Sequence, residues 1–311
     1  MNHKVKFCVR VHQGGYSYEE IRRIWRDADR LGYYSASLYD LLNIPTLECW
    51  TTLSALAAET DNIKLIPMVL ANTYREPVLV AKMASTLDVI SDGRVELGIG
   101  AGGGRRDHAV SGYAFPSTST RSKMLAESVS LIKKLWTEDN VEFDGQYYHV
   151  AGANQEPKPI QKPHPPVLIG GHGEKHVLRA VASQANICNI GNGMSLDDHD
   201  AKLAILSDYC RQIGRDPGEI EVTHNTSIVL AETDHDFERL VKQNADRLGK
   251  DESDYRSSLS NAIAGTPDQC ITQIRSYVNH GIGYFFLIFP DPISTNTLEL
   301  FAGEVMPAFA M

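Results

Sequence analysis

The sequence predicts an α/β fold, a single (β/α)8 barrel of the TIM type, and three observations carry that prediction. Short apolar runs alternate with amphipathic stretches from one end to the other, as parallel strands joined by helices require. The apolar runs that sit in this alternation number eight, which favours a closed barrel over an open sheet. A length of 311 residues, with 42% hydrophobic content, is enough for one such barrel with a large core. The domain is expected to span residues 1–311, with an insertion over about 137–165 between the fourth helix and the fifth strand.

Each element follows from local signals. VKFCVRV (5–11) reads as the first strand. Ser17 and Glu20 have capping-box spacing ahead of a helix whose Ile21, Ile24 and Trp25 share one face, and Gly32 stops it. YSASL (34–38) is the second strand and LECWTTLSALAAET (47–60) the second helix. IKLIPMVL (63–70) is the third strand, and the helix after it opens at Pro77 and ends at Gly93, an N-terminal proline with a C-terminal glycine. RVELGI (94–99) is the fourth strand; a longer loop is expected before the fourth helix, SKMLAESVSLIKKLW (122–136). VEFDGQYYHV reads as a hairpin turning at Asp144-Gly145, and EPKPIQKPHPP as an extended inserted segment. VLIGG, NICNIG, EVTHNTSIVL and YFFLIF supply strands five to eight. Helices are expected near 174–183, 198–213, 236–248 and 267–280, with a last one near 295–309.

Charge and composition exclude several classes of function. With 39 acidic against 30 basic residues the net charge is −9, and neither a nucleic-acid nor a membrane-surface role suits a chain without a clustered basic face. The expected partner is a small molecule. Cys8, Cys49, Cys188, Cys210 and Cys270 are scattered, without C-x-x-C, which fits buried thiols in a reducing, cytoplasmic setting. MNHKVKFCVRV is too charged and its apolar run too short for a signal segment, and no run approaches the roughly 18 apolar residues of a membrane span.

Gly98, Gly100 and Gly103 have the G-x-G-x-x-G spacing of a dinucleotide-binding loop, but the context is wrong for one. That motif follows the first strand of a nucleotide-binding half and opens directly into an apolar helix; here the glycines follow the fourth strand, and RRDHAVSGYAFP begins without a helical stripe. At the end of a barrel strand such glycines either let backbone approach a flat ligand or make a tight turn. IGGHGEK (169–175) ends the fifth strand, and its glycines with a helix N-terminus at Glu174 suit an anion. His172 and His176 with one carboxylate between them fall short of a zinc set, so no metal is expected. Polar groups at the expected barrel mouth are His12, Asp40, Asn72, Tyr74, Asp107, His108 and Asn189. His108 suits acid/base work near neutral pH, or is a solvated loop histidine. His12 serves catalysis or caps the barrel, and Asp40 serves catalysis or holds its loop. Arg105 and Arg106 meet an anion or form a solvated pair.

The stretch ECWTTLSALAAETDNIKLIPMVLANTYREPVLVAKMASTLDVISDGRVELGIGAG, followed by SGYAFP, FDGQYYHV and EPKPIQKPHPPVLIGGHGEK, resembles the luciferase-like monooxygenase superfamily, and within it the coenzyme F420-dependent oxidoreductases. The likeness is dense from about residue 5 to 195 and thins beyond. It implies a TIM-type barrel with an insertion between the fourth helix and the fifth strand, a homodimer, and FMN or coenzyme F420 at the C-terminal ends of the strands. It also implies a non-prolyl cis peptide at Met68-Val69, behind the flavin ring and followed by Leu70-Ala71-Asn72. The cofactor-binding residues expected on this basis are Met68, Val69, Asn72, Gly102, Gly103, Gly170, Gly171, His172, Gly173 and Glu174, the last five at the cofactor phosphate; those expected in catalysis are His12, Asp40 and His108.

Two departures stand out. Asp40-Leu41 stands where many coenzyme F420-dependent members carry Asp-His, and Gly103-Gly104 where relatives often have Trp or Glu. Both argue against alcohol oxidation by the sugar-phosphate mechanism and leave a roomier pocket. The activity implied is hydride transfer between coenzyme F420 and a small organic substrate. The alternatives are a two-component monooxygenase using reduced FMN from a separate reductase, a flavin-binding protein without turnover, and an unrelated barrel enzyme.

Overall fold

The computed structural model describes residues 4–171 and 173–310. Its elements begin with β1 (Lys6–Val11), α1 (Tyr18–Arg30), β2 (Ser35–Leu38), α2 (Cys49–Ala57), β3 (Lys64–Pro67), β4 (Leu70–Ala71), α3 (Pro77–Ile90) and β5 (Leu97–Gly100). Then come α4 (Arg105–Val110), α5 (Thr118–Thr137), β6 (Val141–Asp144), β7 (His149–Ala153), β8 (Val167–Gly170), α6 (Val177–Gln184), β9 (Ile187–Ile190) and α7 (Leu196–Gln212). The chain ends with β10 (Glu221–Leu230), α8 (Asp234–Leu248), α9 (Glu252–Ser258), β11 (Ile263–Gly265), α10 (Pro267–Asn279), β12 (Tyr284–Ile288) and α11 (Thr295–Leu300).

The main sheet runs β3-β2-β1-β12-β10-β9-β8-β5-β4 and every pair in it is parallel. Its two ends, β3 and β4, are halves of one strand interrupted at the cis peptide Met68–Val69. The lower half pairs with β2, the upper half with β5, and a bridge from Leu65 to Val95 ties the lower half to the start of β5. The ring is therefore closed, as a barrel of eight strands. β11 pairs with the far end of β10, and β6 with β7 as an antiparallel hairpin.

Closure leaves two cores. Inside the barrel, Cys8, Ile66, Met68, Leu168, Ile187, Tyr284 and Phe286 fill the space between strands. Outside it, the alternate strand residues meet the apolar faces of the helices, with Trp25, Trp136 and Phe301 fully or almost fully buried. The helix ends follow the sequence signals. Ser17 Oγ accepts the Glu20 amide and Glu20 returns a carboxylate to the Ser17 amide, while Pro77 opens α3.

Several boundaries differ from the sequence reading, each for a local reason. α2 starts at Cys49 because the Glu48 carboxylate accepts the amides of Trp50 and Thr51. The expected loop after the fourth strand contains α4, one short helix entered through Gly104 at φ +72°, and α5 begins at Thr118, capped by Ser117. α6 starts at Val177 rather than Glu174, which lies in the preceding turn. α9 and β11 occupy a stretch for which no element was expected. The last helix is α only to Leu300 and continues as a wider turn, Phe301–Val305, and a tighter one, Met306–Phe309. Among the described residues no helix is long and apolar enough to cross a membrane.

Candidate active site

The glycines after the fourth strand are explained first by packing. Past the cis peptide, the Val69 side chain projects between β5 and β8. A Cβ on Gly100 would lie 2.9 Å from Val69 Cγ2, and one on Gly170 2.9 Å from Cγ1. One on Gly98 would lie 2.0 Å from the Pro67 carbonyl oxygen. Close packing admits no such contacts, so these three positions are bare because the neighbouring strand needs the room. Gly103 is different: nothing lies within 4 Å of a Cβ built there.

That open backbone faces a cavity of about 590 Å³ at the C-terminal ends of the strands. Val69, Gly102, Gly103, Gly170, Gly171 and Gly173 line it, together with the Asp40–Ile44 loop, Asp107, Thr118 and Arg121. Four of the residues expected at the cofactor stand elsewhere or outside the description. Met68 is buried in the barrel interior beneath the floor. Asn72 turns its side-chain amide to the Tyr148 hydroxyl of the insertion, 3.1 Å away, and does not line the cavity. Glu174 is exposed and ion-paired with Lys202. His172 lies outside the described residues. Gly171 lines the cavity but gives its N–H to the Asn189 carbonyl at 3.0 Å, so it is not an anion donor.

The residues expected in catalysis are positioned as supports. Asp40 is buried with both oxygens committed: Arg75 donates to them at 2.8 and 2.9 Å, and the Ala71 N–H donates at 2.9 Å. Arg75 also reaches Glu48 at 2.9 Å; burial works against its charge, but its hydrogen bonds and ion pairs with Asp40 and Glu48 outweigh this and raise its pKa. The pair locks the loop after β2 to the turn after β4, which makes Asp40 a support of that loop. His108 is fully buried, with Nδ1 2.9 Å from the Gly104 carbonyl and Nε2 2.6 Å from Thr73 Oγ1. A carbonyl only accepts, so Nδ1 carries the proton and Nε2 accepts the threonine hydroxyl. Tyr74 and Phe115 pack on the ring at 4.8 and 4.6 Å. His108 thus pins α4 and neither nitrogen faces the cavity. His12 accepts the Gly14 N–H at 3.2 Å and packs edge-on to Tyr39, outside the cavity lining, as a cap of its turn.

The sequence reading missed three supports. Gln13, fully buried, donates to the Tyr39 carbonyl and accepts the Tyr39 N–H, both at 2.8 Å, and so stitches the loop after β2 to β1. Arg75 follows the third strand in NTYREP, but its partners lie 35 and 27 positions away. Arg121 donates to the carbonyls of Gly102 and Pro116, and its guanidinium covers Phe115 at 3.8 Å; burial and the neighbouring Arg105 lower its pKa. Asp107 remains a carboxylate of the lining with oxygens to spare: among the described residues its side chain is hydrogen-bonded by the Asn43 side-chain amide alone, at 3.4 Å.

The sequence profile of the family described as luciferase-like monooxygenase matches residues 2–283. An F420-dependent glucose-6-phosphate dehydrogenase of Amycolatopsis mediterranei (strain U-32) is 30% identical over 285 residues, covering 81% of each chain. Among solved structures, the coenzyme F420 dependent tetrahydromethanopterin reductase from Methanopyrus kandleri superposes with a TM-score of 0.80 at 20% identity, over 99% of this chain and 100% of that one. Monooxygenase RslO1 from Streptomyces bottropensis superposes with a TM-score of 0.82 at 21% identity, over 98% and 100%. At these identities the structural likenesses speak for the fold, a TIM-type barrel.

Proposed function

Because the chain belongs to the luciferase-like monooxygenase family, we propose that it is a coenzyme F420-dependent oxidoreductase that moves a hydride to or from a small organic substrate. The observation that carries this reading is the cavity floor. Val69 projects between two bare strand ends, and beside it the backbone at Gly103 is open, which gives a flat ring a surface without side chains in its way. The Amycolatopsis relative, matched over most of its length, is named for the same cofactor.

The residues present fit the group. Gly173, in the turn ahead of α6, and Thr118, at the start of α5, both face the cavity where a phosphate would sit, while the Val177 and Leu178 N–H groups of α6 are given to the Gly173 carbonyl. Bound there, coenzyme F420 would supply a two-electron hydride donor or acceptor. The chain's own residues do the rest. Val69 and Gly103 would lie against the ring, Asp40 with Arg75 and Gln13 fix the loop after β2, and His108 holds α4, from which Asp107 faces the cavity. Asp107 is the group we assign to the coupled proton, because its oxygens alone among the lining carboxylates remain available.

The reading includes a cytoplasmic homodimer. The exposed Val78, Leu79, Val89 and Ile90 of α3 offer its contact, the five free, buried cysteines suit a reducing compartment, and sedimentation equilibrium tests the assembly. The cofactor is tested by titrating the purified protein with coenzyme F420 and with FMN, each oxidised and reduced, and following cofactor fluorescence. Tight coenzyme F420 binding with weak FMN binding is the expected result. Preference for reduced FMN would replace it with an oxygenase served by a separate reductase, and binding of neither would overturn the flavin reading.

A further inference from the structure

Resting on that reading of the cofactor, we propose that the substrate is an uncharged, largely apolar molecule bearing one oxygen function, and not a phosphorylated sugar. The loop after β2 forms the lip of the cavity with Leu41, Leu42 and Ile44, and Leu42 and Ile44 are each 38% exposed, so apolar surface faces the open space where a substrate enters. This lip is held in place. Asp40 is clamped by Arg75 at its start and Gln13 stitches Tyr39 just before it. Fixed apolar surface at a pocket mouth favours a ligand that removes it from water.

The charges point the same way. Arg121 is the only cation among the described residues that line the cavity; its Nε and Nη1 donate to the Gly102 and Pro116 carbonyls, its Nη2 lies 3.5 Å from Thr118 Oγ1, and its face covers Phe115. Arg75, just behind the lip, is taken by Asp40 and Glu48. Of the two carboxylates on the same space, Asp40 is neutralised by Arg75, whereas Asp107 has no ion pair among the described residues. The corner at Gly173 and Thr118 belongs to the cofactor phosphate in this reading. A second phosphate would then give up its hydration for a wall whose one cation among the described residues, Arg121, is already held by backbone carbonyls, and it would lie beside the carboxylate of Asp107. A hexose would also bring several hydroxyls to a lip, Leu41 to Ile44, that carries one polar side chain, Asn43, 3.4 Å from Asp107 of α4. One carbonyl or hydroxyl fits that point; a polyol does not.

The test uses the straight-chain 2-alkanones from 2-butanone to 2-decanone, with glucose 6-phosphate as the charged competitor, and reads binding by saturation-transfer NMR on the protein loaded with coenzyme F420. The dissociation constant is expected to fall about two- to fourfold for each added CH2, and glucose 6-phosphate is expected to displace none of the series. The double variant Leu42→Ser/Ile44→Ser, both half-exposed positions, and the milder Leu42→Ala should flatten that dependence in this order with little change in melting temperature. Displacement by glucose 6-phosphate, a wild-type series that does not respond to chain length, or variants with the wild-type slope would each overturn the proposal. The same series on the protein without cofactor separates the two readings: failure of coenzyme F420 to bind counts against the cofactor, whereas the alkanone slope and its loss in the variants judge the lip alone.

Discussion

Gly103 and Gly100 sit three residues apart in one glycine run, yet their absent side chains answer to different demands. A side chain at Gly100 must push on Val69, whose Cγ2 would be 2.9 Å from the new Cβ, while one at Gly103 meets nothing. Gly100→Ala should therefore cost about 1–3 kcal/mol of stability through overpacking. Gly103→Val should leave stability within about 0.5 kcal/mol of wild type, as an exposed substitution does, and weaken cofactor binding roughly tenfold or more by filling the ring's place. Urea unfolding with coenzyme F420 titration checks both; a Gly103→Val protein that binds normally would remove Gly103 from the site. At this scale the sequence showed which residue types cluster after strand ends, and Asp40 and His108 were both found that way. It did not show their bonds, because Arg75 and Thr73 each lie 35 positions from the partner they hold. A histidine with both nitrogens spent and one ready for proton transfer look alike in a string of letters.

Between elements, the recurring device is a carboxylate that accepts several backbone amides of a connecting segment. Asp29 of α1 takes the N–H groups of Asp61, Asn62 and Ile63; Asp88 of α3 takes those of Ile160 and Gln161; Glu127 of α5 takes those of Gln146, Tyr147 and Tyr148 at the hairpin tip. The insertion is thereby fixed to the barrel, and Tyr148 brought to Asn72. None of this has a sequence signature, whereas the strand and helix rhythm does. α4 escaped notice because six residues carry less than two turns of periodicity. A second inter-element contact sets a pH limit. His199 of α7 and His224 of β10 meet at 2.9 Å, with Tyr277 of α10 stacked on His224. Burial, then the neighbouring His199, pushes His224 down to about 3, so it is neutral in the fold while the unfolded chain binds a proton near pH 6.5. Stability is thus complete above about pH 6.5 and falls below it, by about 1.4 kcal/mol per pH unit for this one group. Urea unfolding at pH 7 and pH 5 measures the slope, and His224→Phe should reduce it; an unchanged slope would place the acid sensitivity elsewhere.

The whole barrel divides its work between two ends. Parallel strands put all their C-terminal ends on one rim, where the cavity lies, and all their N-terminal ends on the other. The eight-strand count and the fold class were legible from alternation alone. How the ring closes was not, since the break at Met68–Val69 is accommodated by Gly98, Gly100 and Gly170 from strands about 30 and 100 residues further on, a fit that exists only once the strands are assembled. At the opposite rim, Lys6 pairs with Glu221 at 2.8 Å, and Glu96 lies buried at hydrogen-bond distance from the Tyr34 and Tyr284 hydroxyls. Burial raises the pKa of Glu96, more than the tyrosine hydrogen bonds and Lys6 lower it. Its folded pKa lies above the unfolded one, so its contribution to stability is whole at low pH and is lost as pH rises through the folded pKa. Glu96→Gln keeps an acceptor for one tyrosine hydroxyl and cannot ionise. Relative to wild type it should therefore gain stability between pH 4 and pH 8, while coenzyme F420 affinity at the other rim stays the same. Denaturation at both pH values with cofactor titration at pH 8 reads the two ends separately: a variant equally offset from wild type at both pH values would mean that Glu96 stays ionised in the fold, and a changed cofactor affinity would mean that floor and mouth are coupled through the strands between them.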